Sequence, residues 1–151
     1  MRVALAADGV GRPLLEAIAR HLADRPDLVL TDVSPQDVDE FYAETAERAG
    51  KAIIAGAFDR GVLICGTGIG MSIGANKVRG IRAALTHDTY SAERAAKSND
   101  AQIITLGARV VGPELAKAIV DMYLNSAFDP AGPSAANVAA LDAVDRRETS
   151  R

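Results

Sequence analysis

The sequence predicts an α/β fold: a three-layer αβα sandwich on a five-stranded parallel sheet, with one extra helix at the C-terminus. Three observations predict it. Five short apolar runs alternate with longer segments whose apolar residues recur at helical spacing. The connections between them are short, and strand–helix alternation of this kind builds a parallel sheet with helices on both faces. The third apolar run, Arg60 to Cys65, has no polar residue after its first and is rich in Val, Leu and Ile, as suits a strand buried on both faces.

Residues 2–7 read as the first strand, ending at Asp8. Gly9-Val10-Gly11 turns the chain, and Pro13 suits the first turn of a helix. Leu14, Leu15, Ile18, Ala19 and Leu22 give that helix its buried stripe. Residues 28–33 read as the second strand and Ser34-Pro35-Gln36-Asp37 as a loop. The next helix runs from about Glu40 to Ala55, with Phe41, Thr45, Ala49, Ala52 and Ile53 near one face. Residues 60–65 form the third strand, and a glycine-rich turn feeds the third helix. Residues 81–86 form the fourth strand, His87 to Ser91 a loop and helix entry, and the helix ends near Ser98. Residues 102–106 form the fifth strand, and Gly112-Pro113 opens a helix reaching Leu124. After the loop Asp129-Pro130-Ala131-Gly132-Pro133, a final helix spans about 134–147. Its apolar positions, Val138, Leu141 and Val144, pack either on its own domain or on a second subunit. Right-handed crossovers make the whole a doubly wound, Rossmann-like sheet.

The bulk numbers fit one domain over residues 1–151. The chain is 48% hydrophobic, 25% charged and 4% aromatic, ordinary for a globular protein with a good-sized core. Its net charge of −3 argues against broad binding to nucleic acid or anionic membranes. One cysteine excludes an internal disulfide framework and suits a reducing compartment. The N-terminus does not read as a signal peptide and no apolar run approaches a membrane span, so the expected compartment is the cytoplasm.

The chemistry gathers where the third strand ends. In such sheets ligands bind at the carboxyl ends of the strands. Here these carry Asp8, Cys65 to Gly70, the Thr86–Asp88 loop and Gly107-Ala108-Arg109. The turn Gly66-Thr67-Gly68-Ile69-Gly70 forms a cradle for a phosphate or oxyanion, because its glycines bring backbone close to a ligand and the following helix aims N–H groups at it. Met71-Ser72 follows where a P-loop would have Lys-Ser/Thr, and the turn stands after the third strand rather than the first, which tells against a nucleotide module. Cys65 reads either as a small buried hydrophobe or as a base, since thiols at helix N-termini ionise closer to neutrality than free ones. Thr67 can donate beside it or serve only the turn. Asp8 reads as a substrate ligand or an N-cap, Arg109 as a bidentate phosphate ligand or a surface ion pair. His87 reads as an acid/base at the sheet edge or a solvated loop residue. Asn99 reads as an oxyanion ligand or a helix C-cap in the αL conformation. No His/Cys/Asp cluster has metal spacing and no cofactor is implied.

Residues 59–85, D-R-G-V-L-I-C-G-T-G-I-G-M-S-I-G-A-N-K-V-R-G-I-R-A-A-L, resemble the sugar-phosphate isomerases of the ribose-5-phosphate isomerase B and galactose-6-phosphate isomerase group. The resemblance continues through Tyr90-Ser91-Ala92, Asn99-Asp100-Ala101 and residues 106–112, and covers nearly the whole chain. It implies metal-independent aldose–ketose isomerisation of a phosphorylated sugar through a cis-enediolate. Cys65 then moves the proton between C1 and C2, assisted by Thr67, and Gly66 to Gly70 form the anion hole. Asn99 and Asp8 contact substrate oxygens and Arg109 the phosphate. The resemblance also implies homodimers or homotetramers with sites shared between subunits.

The chain departs from the family pattern at four places. Gly9 stands where the family has a histidine after Asp8, and Ser98 where it has the histidine assigned to opening the furanose ring. Residues 131–137 lack the family's C-terminal arginine clamp, and a Tyr-Pro pair is replaced at about Asp39-Glu40. A tetrose 4-phosphate cannot form a furanose, because its C4 oxygen is esterified, so it needs no ring opening. The tail and the His87-Asp88-Thr89-Tyr90 stretch also resemble the branch acting on D-erythrose 4-phosphate and D-erythrulose 4-phosphate in erythritol breakdown. The expected substrate is therefore a tetrose phosphate. The alternatives are a ribose 5-phosphate or hexose 6-phosphate isomerase with His87 opening the ring, and a non-catalytic sugar-phosphate-binding subunit. Arg12, beside the Asp8 turn, is a further phosphate candidate whose other reading is a solvated helix-start arginine.

Overall fold

The computed structural model of the protein describes residues 1–35 and 40–148. Gln36 and Asp37 of the expected loop, and Asp39, lie outside the described residues. Five parallel strands form one sheet: β1 (Arg2–Ala7), β2 (Val29–Asp32), β3 (Arg60–Cys65), β4 (Ala83–Leu85) and β5 (Ile103–Gly107), in the order β2-β1-β3-β5-β4. The helices between and after them are α1 (Arg12–Leu22), α2 (Tyr42–Ile54), α3 (Ile69–Asn76), α4 (Thr89–Asn99), α5 (Pro113–Leu124) and α6 (Ala135–Glu148).

The sheet is covered on both faces, as its apolar runs require. Leu14, Leu15 and Ile18 of α1 join Ala92 and Ala95 of α4 and Ile119 and Val120 of α5 over one face. Ala46, Ala49 and Ile53 of α2 join Met71 and Ala75 of α3 over the other. β3 is the middle strand, so Val62, Leu63 and Ile64 are wholly buried and Cys65 nearly so. Tyr123 of α5 is the largest fully buried side chain; its hydroxyl donates to the Ala101 carbonyl at 2.8 Å, and the Arg60 guanidinium stacks 4.6 Å from its ring. Burial pushes the Tyr123 phenol well above the ordinary tyrosine value, against the opposing pull of Arg60.

From β1 the chain crosses to β2 on one side and returns to β3 on the other. That reversal opens a crevice at the carboxyl ends of β1 and β3. Asp8 extends the pairing there by donating its N–H to the Ile64 carbonyl at 3.2 Å. β3 and β5 stay in register to their ends, where Cys65 lies opposite Gly107.

Several details differ from the sequence-based expectation. The two edge strands are shorter than the expected 28–33 and 81–86, because an edge strand has one partner only. Phe41 is not on the buried face of α2. It precedes the helix in extended conformation, its N–H accepted by Glu44 Oε2 at 3.1 Å, and its side chain is exposed. The last helix is held on its own chain by its acidic side. Asp142 accepts from Arg82 at 2.8 Å and Asp145 from the Gly80 N–H at 2.6 Å. Of its apolar stripe only Val138 is buried, whereas Leu141 and Val144 are exposed. No helix among the described residues is long and apolar enough to cross a membrane.

Candidate active site

Cys65 ends β3, and the chain turns at once into α3. Its Sγ accepts the Gly68 N–H at 3.1 Å. This bond places the sulfur at the head of α3, against a backbone donor and the positive end of the helix dipole. Gly68 makes the turn possible. It adopts φ +76°, and a Cβ there would fall 2.6 Å from Leu85 Cδ1 and 2.8 Å from the Leu106 carbonyl carbon. Thr67 is exposed at the mouth, its Oγ1 accepting the Ile69 N–H at 3.4 Å. Ile69 is half exposed.

The β5–α5 turn closes the other side. Ala108 donates its N–H to the Cys65 carbonyl at 2.9 Å and Arg109 to the Gly66 carbonyl at 3.0 Å. The Arg109 side chain runs over Gly66: a Cβ on Gly66 would meet its Cδ at 3.8 Å and its Cζ at 3.9 Å. Gly107 packs against the Thr67 backbone, where a Cβ would lie 2.7 Å from the Thr67 carbonyl. The two turns therefore interlock, and the Arg109 guanidinium lies over Gly66, the residue after the thiol. Among the described residues no group of three or more His, Cys, Asp or Glu side chains is placed to hold a metal ion.

The remaining candidates divide by edge. Asp8 reaches the crevice, with Oδ1 accepting the Gly11 N–H at 2.8 Å, so it caps the turn into α1 beside the cysteine. Gly9 is exposed, with open space where a Cβ would be. Arg12 pairs with Asp32 at the end of β2. Burial raises the Asp32 carboxyl, but hydrogen bonds from Ser34 and Arg12 outweigh it and hold the group below the usual range. His87 is half-buried rather than solvated, and its Nε2 accepts the Gly107 N–H at 3.1 Å.

Ser98 and Asn99 are not brought to Cys65 within one chain. α4 runs back across the sheet, so its last residues sit at the amino edge, where the Asn99 carbonyl accepts from Arg82 just ahead of β4. About 16 Å of strand separates the two edges. The Asn99 amide donates to the Arg94 carbonyl at 3.2 Å, and Arg94 Nη1 donates to Ser98 Oγ at 3.4 Å. The αL cap expected at Asn99 falls instead on Asp100, at φ +45°, because the chain leaves the helix there with Ala101 N–H bonded to the Ala95 carbonyl. Sequence reasoning missed Tyr42, whose ring packs on Gly70 so closely that a Cβ there would lie 2.5 Å from it. A contact between α2 and the glycine turn leaves no signature in local spacing.

Comparisons with known proteins place this geometry. Residues 3–141 match the family model described as Ribose/Galactose Isomerase. The D-erythrulose-4-phosphate isomerase of Pectobacterium atrosepticum is 48% identical over 87% of this chain and 88% of its own length. The ribose-5-P isomerase B of Listeria innocua is 43% identical over 97% and 99%. The solved ribose-5-phosphate isomerase B of Clostridium thermocellum superposes with a TM-score of 0.90 at 36% identity, covering 98% of this chain and 99% of that one. Fold, thiol-bearing crevice and relatives together define an isomerase on a doubly wound sheet. The chain belongs to the ribose/galactose isomerase family.

Proposed function

We infer that the chain interconverts D-erythrulose 4-phosphate and D-erythrose 4-phosphate through a cis-enediolate. The observation that carries the chemistry is the Cys65 sulfur at the head of α3, 3.1 Å from the Gly68 nitrogen, with the Arg109 guanidinium over Gly66. As thiolate, Cys65 takes a proton from the carbon beside the substrate carbonyl. The electron pair moves onto the carbonyl oxygen, and the enediolate's negative charge faces the first-turn N–H groups of α3, which have no intrahelical acceptor. The hydroxyl proton of the enediolate passes to the former carbonyl oxygen, and the thiol returns its proton to the carbon bearing that oxygen, so the carbonyl now stands on the neighbouring carbon. Thr67, at the mouth, assists this transfer, Asp8 receives substrate hydroxyls with its second carboxylate oxygen, and Arg109 holds the phosphate.

Two observations favour the tetrose. The resemblance implies histidines where this chain has Gly9 and Ser98, and the space at Gly9 is open, so packing does not impose glycine there. An acyclic substrate needs no ring-opening acid. A kinetic panel of D-erythrulose 4-phosphate, D-ribulose 5-phosphate and a ketohexose 6-phosphate tests this. The tetrose is expected to have the highest kcat/KM, and a clear preference for the pentose overturns it. The second reading, a ribose 5-phosphate isomerase, is favoured by the half-buried His87 at the carboxyl edge. Its Nε2 already accepts a backbone N–H, so ring opening would use Nδ1, and His87→Ala would lose activity on cyclic sugars only.

Asn99 lies at the far edge of its own chain, so its contact with substrate requires a site completed by a second copy. Exposed Ile69, Ile73 and Leu85 beside the short edge strand β4 supply an apolar surface for that copy. Mixing inactive Cys65→Ala and Asn99→Ala chains tests sharing. Hybrid dimers carry one intact site, so about a quarter of wild-type activity returns on re-association; no recovery overturns the shared site.

A further inference from the structure

We propose that His87 is a positioning residue for substrate phosphate: its imidazole replaces the last rung of the β4–β5 ladder and thereby seats the turn that carries Arg109. The ladder itself points to this. Ile103 N–H bonds the Arg82 carbonyl and Thr86 N–H bonds the Thr105 carbonyl. Continuing that alternation, the next donor is the Gly107 N–H and its partner should be the Thr86 carbonyl. β4 has ended by then, at Leu85, and the chain turns toward α4. His87 Nε2 takes the Gly107 N–H instead, at 3.1 Å.

The bond dictates the tautomer. A backbone N–H only donates, so Nε2 must present its lone pair and the proton of the neutral ring sits on Nδ1. It also sits where the turn begins. Gly107 is pressed on the Thr67 backbone, and within two residues Ala108 and Arg109 close on the Cys65 and Gly66 carbonyls. Asp88, the adjacent carboxylate, is engaged by the Ser91 N–H and hydroxyl as the cap of α4, which fixes the loop from which the imidazole projects. His87 thus acts through Gly107 on the seat of Arg109, without touching substrate.

The role rests on the assignment of Arg109 to the phosphate, and the test separates the two. His87→Phe keeps the ring volume and loses the acceptor; His87→Gln returns an acceptor near the place of Nε2. His87→Phe is expected to raise the KM for the sugar phosphate and the Ki for inorganic phosphate about tenfold, the scale of one lost hydrogen bond, with kcat within about threefold. His87→Gln is expected to recover most of that loss. Arg109→Ala, measured beside them, should raise the same two constants further. A raised KM in Arg109→Ala with an unchanged KM in His87→Phe overturns the role of His87 alone. An unchanged KM in Arg109→Ala overturns the phosphate assignment and the positioning role with it. A fall in kcat at constant KM in His87→Phe, unrelieved by Gln, overturns positioning in favour of proton transfer by His87. Should the Phe variant not fold, long-range proton–nitrogen NMR of the wild-type enzyme decides: in the neutral ring Nε2 must read as the unprotonated nitrogen, and a neutral ring protonated on Nε2 overturns the proposal.

Discussion

In the proposed mechanism Cys65 is the base, and its sulfur accepts the N–H of Gly68, a glycine in the αL conformation. Removing the sulfur should therefore affect turnover far more than binding. Cys65→Ala is expected to lower kcat by about 10²–10⁴-fold, the range of a positioned general base, with KM changed only a few-fold. Steady-state kinetics check it, and unchanged turnover would mean another base. Gly68 is equally exacting for a different reason. Gly68→Ala forces a Cβ into φ +76° and onto Leu85 and Leu106, a strain of about 1–3 kcal/mol before the clash is counted. Thermal unfolding of that variant should begin on the order of 5 °C lower, with activity lost because the thiol loses its donor.

At the scale of elements, two polar contacts, one part-buried and one buried, do much to hold helices on the sheet. Arg82, only 18% exposed, joins α6 to the amino edge by donating to Asp142 and Asp100 and to the carbonyls of Asn99 and Asp100. Truncating it strips several acceptors at once, so Arg82→Ala is expected to cost about 2–3 kcal/mol by denaturant unfolding. Asp142→Asn alone should cost about 1 kcal/mol, its carboxylate being 43% exposed. Tyr123 anchors α5. Tyr123→Phe leaves the Ala101 carbonyl without its donor, worth about 1–2 kcal/mol. The pH dependence has a definite sign. The folded phenol titrates above the ordinary value of 10.0, at which the unfolded chain ionises. Its contribution is therefore full below pH 10 and declines as pH rises above it. Tyr123→Phe should flatten that decline in alkaline unfolding measurements.

For the whole molecule, the question is whether the crevice at one edge of the sheet draws residues from the other. Cys65, Gly66 to Gly70 and Arg109 converge within one chain, whereas Asn99 and Ser98 end α4 on the opposite edge. Either Asn99 completes a second copy's site or it serves only the last turn of its own helix, where its amide holds the Arg94 carbonyl. The mixed-variant experiment separates these outcomes. Substrate choice is also a property of the whole: the missing histidines at positions 9 and 98 lie on opposite edges, so a tetrose preference would reflect both faces of an assembled site.

Much of this protein is determined by its sequence alone. The strand cores, the helical stripe of α1, the Gly-Pro start of α5, and the cysteine–glycine turn between β3 and α3 rest on periodicity and on backbone freedom, which are local and survive reading one residue at a time. Strand–helix alternation even places Asp8, Cys65 and Arg109 on one edge, because parallel crossovers leave no other arrangement. Tertiary structure alone decided the rest. Phe41 and Leu141 are apolar in the right register yet lie outside the core, since burial depends on what stands opposite. Arg12 is engaged by Asp32, and Tyr42 packs on Gly70, across gaps no local pattern spans. His87 looks like any loop histidine until β4 ends one rung early and its ring takes the place of a carbonyl. Local sequence sets what a residue can do, but which partner satisfies it depends on elements that meet only when the chain is folded.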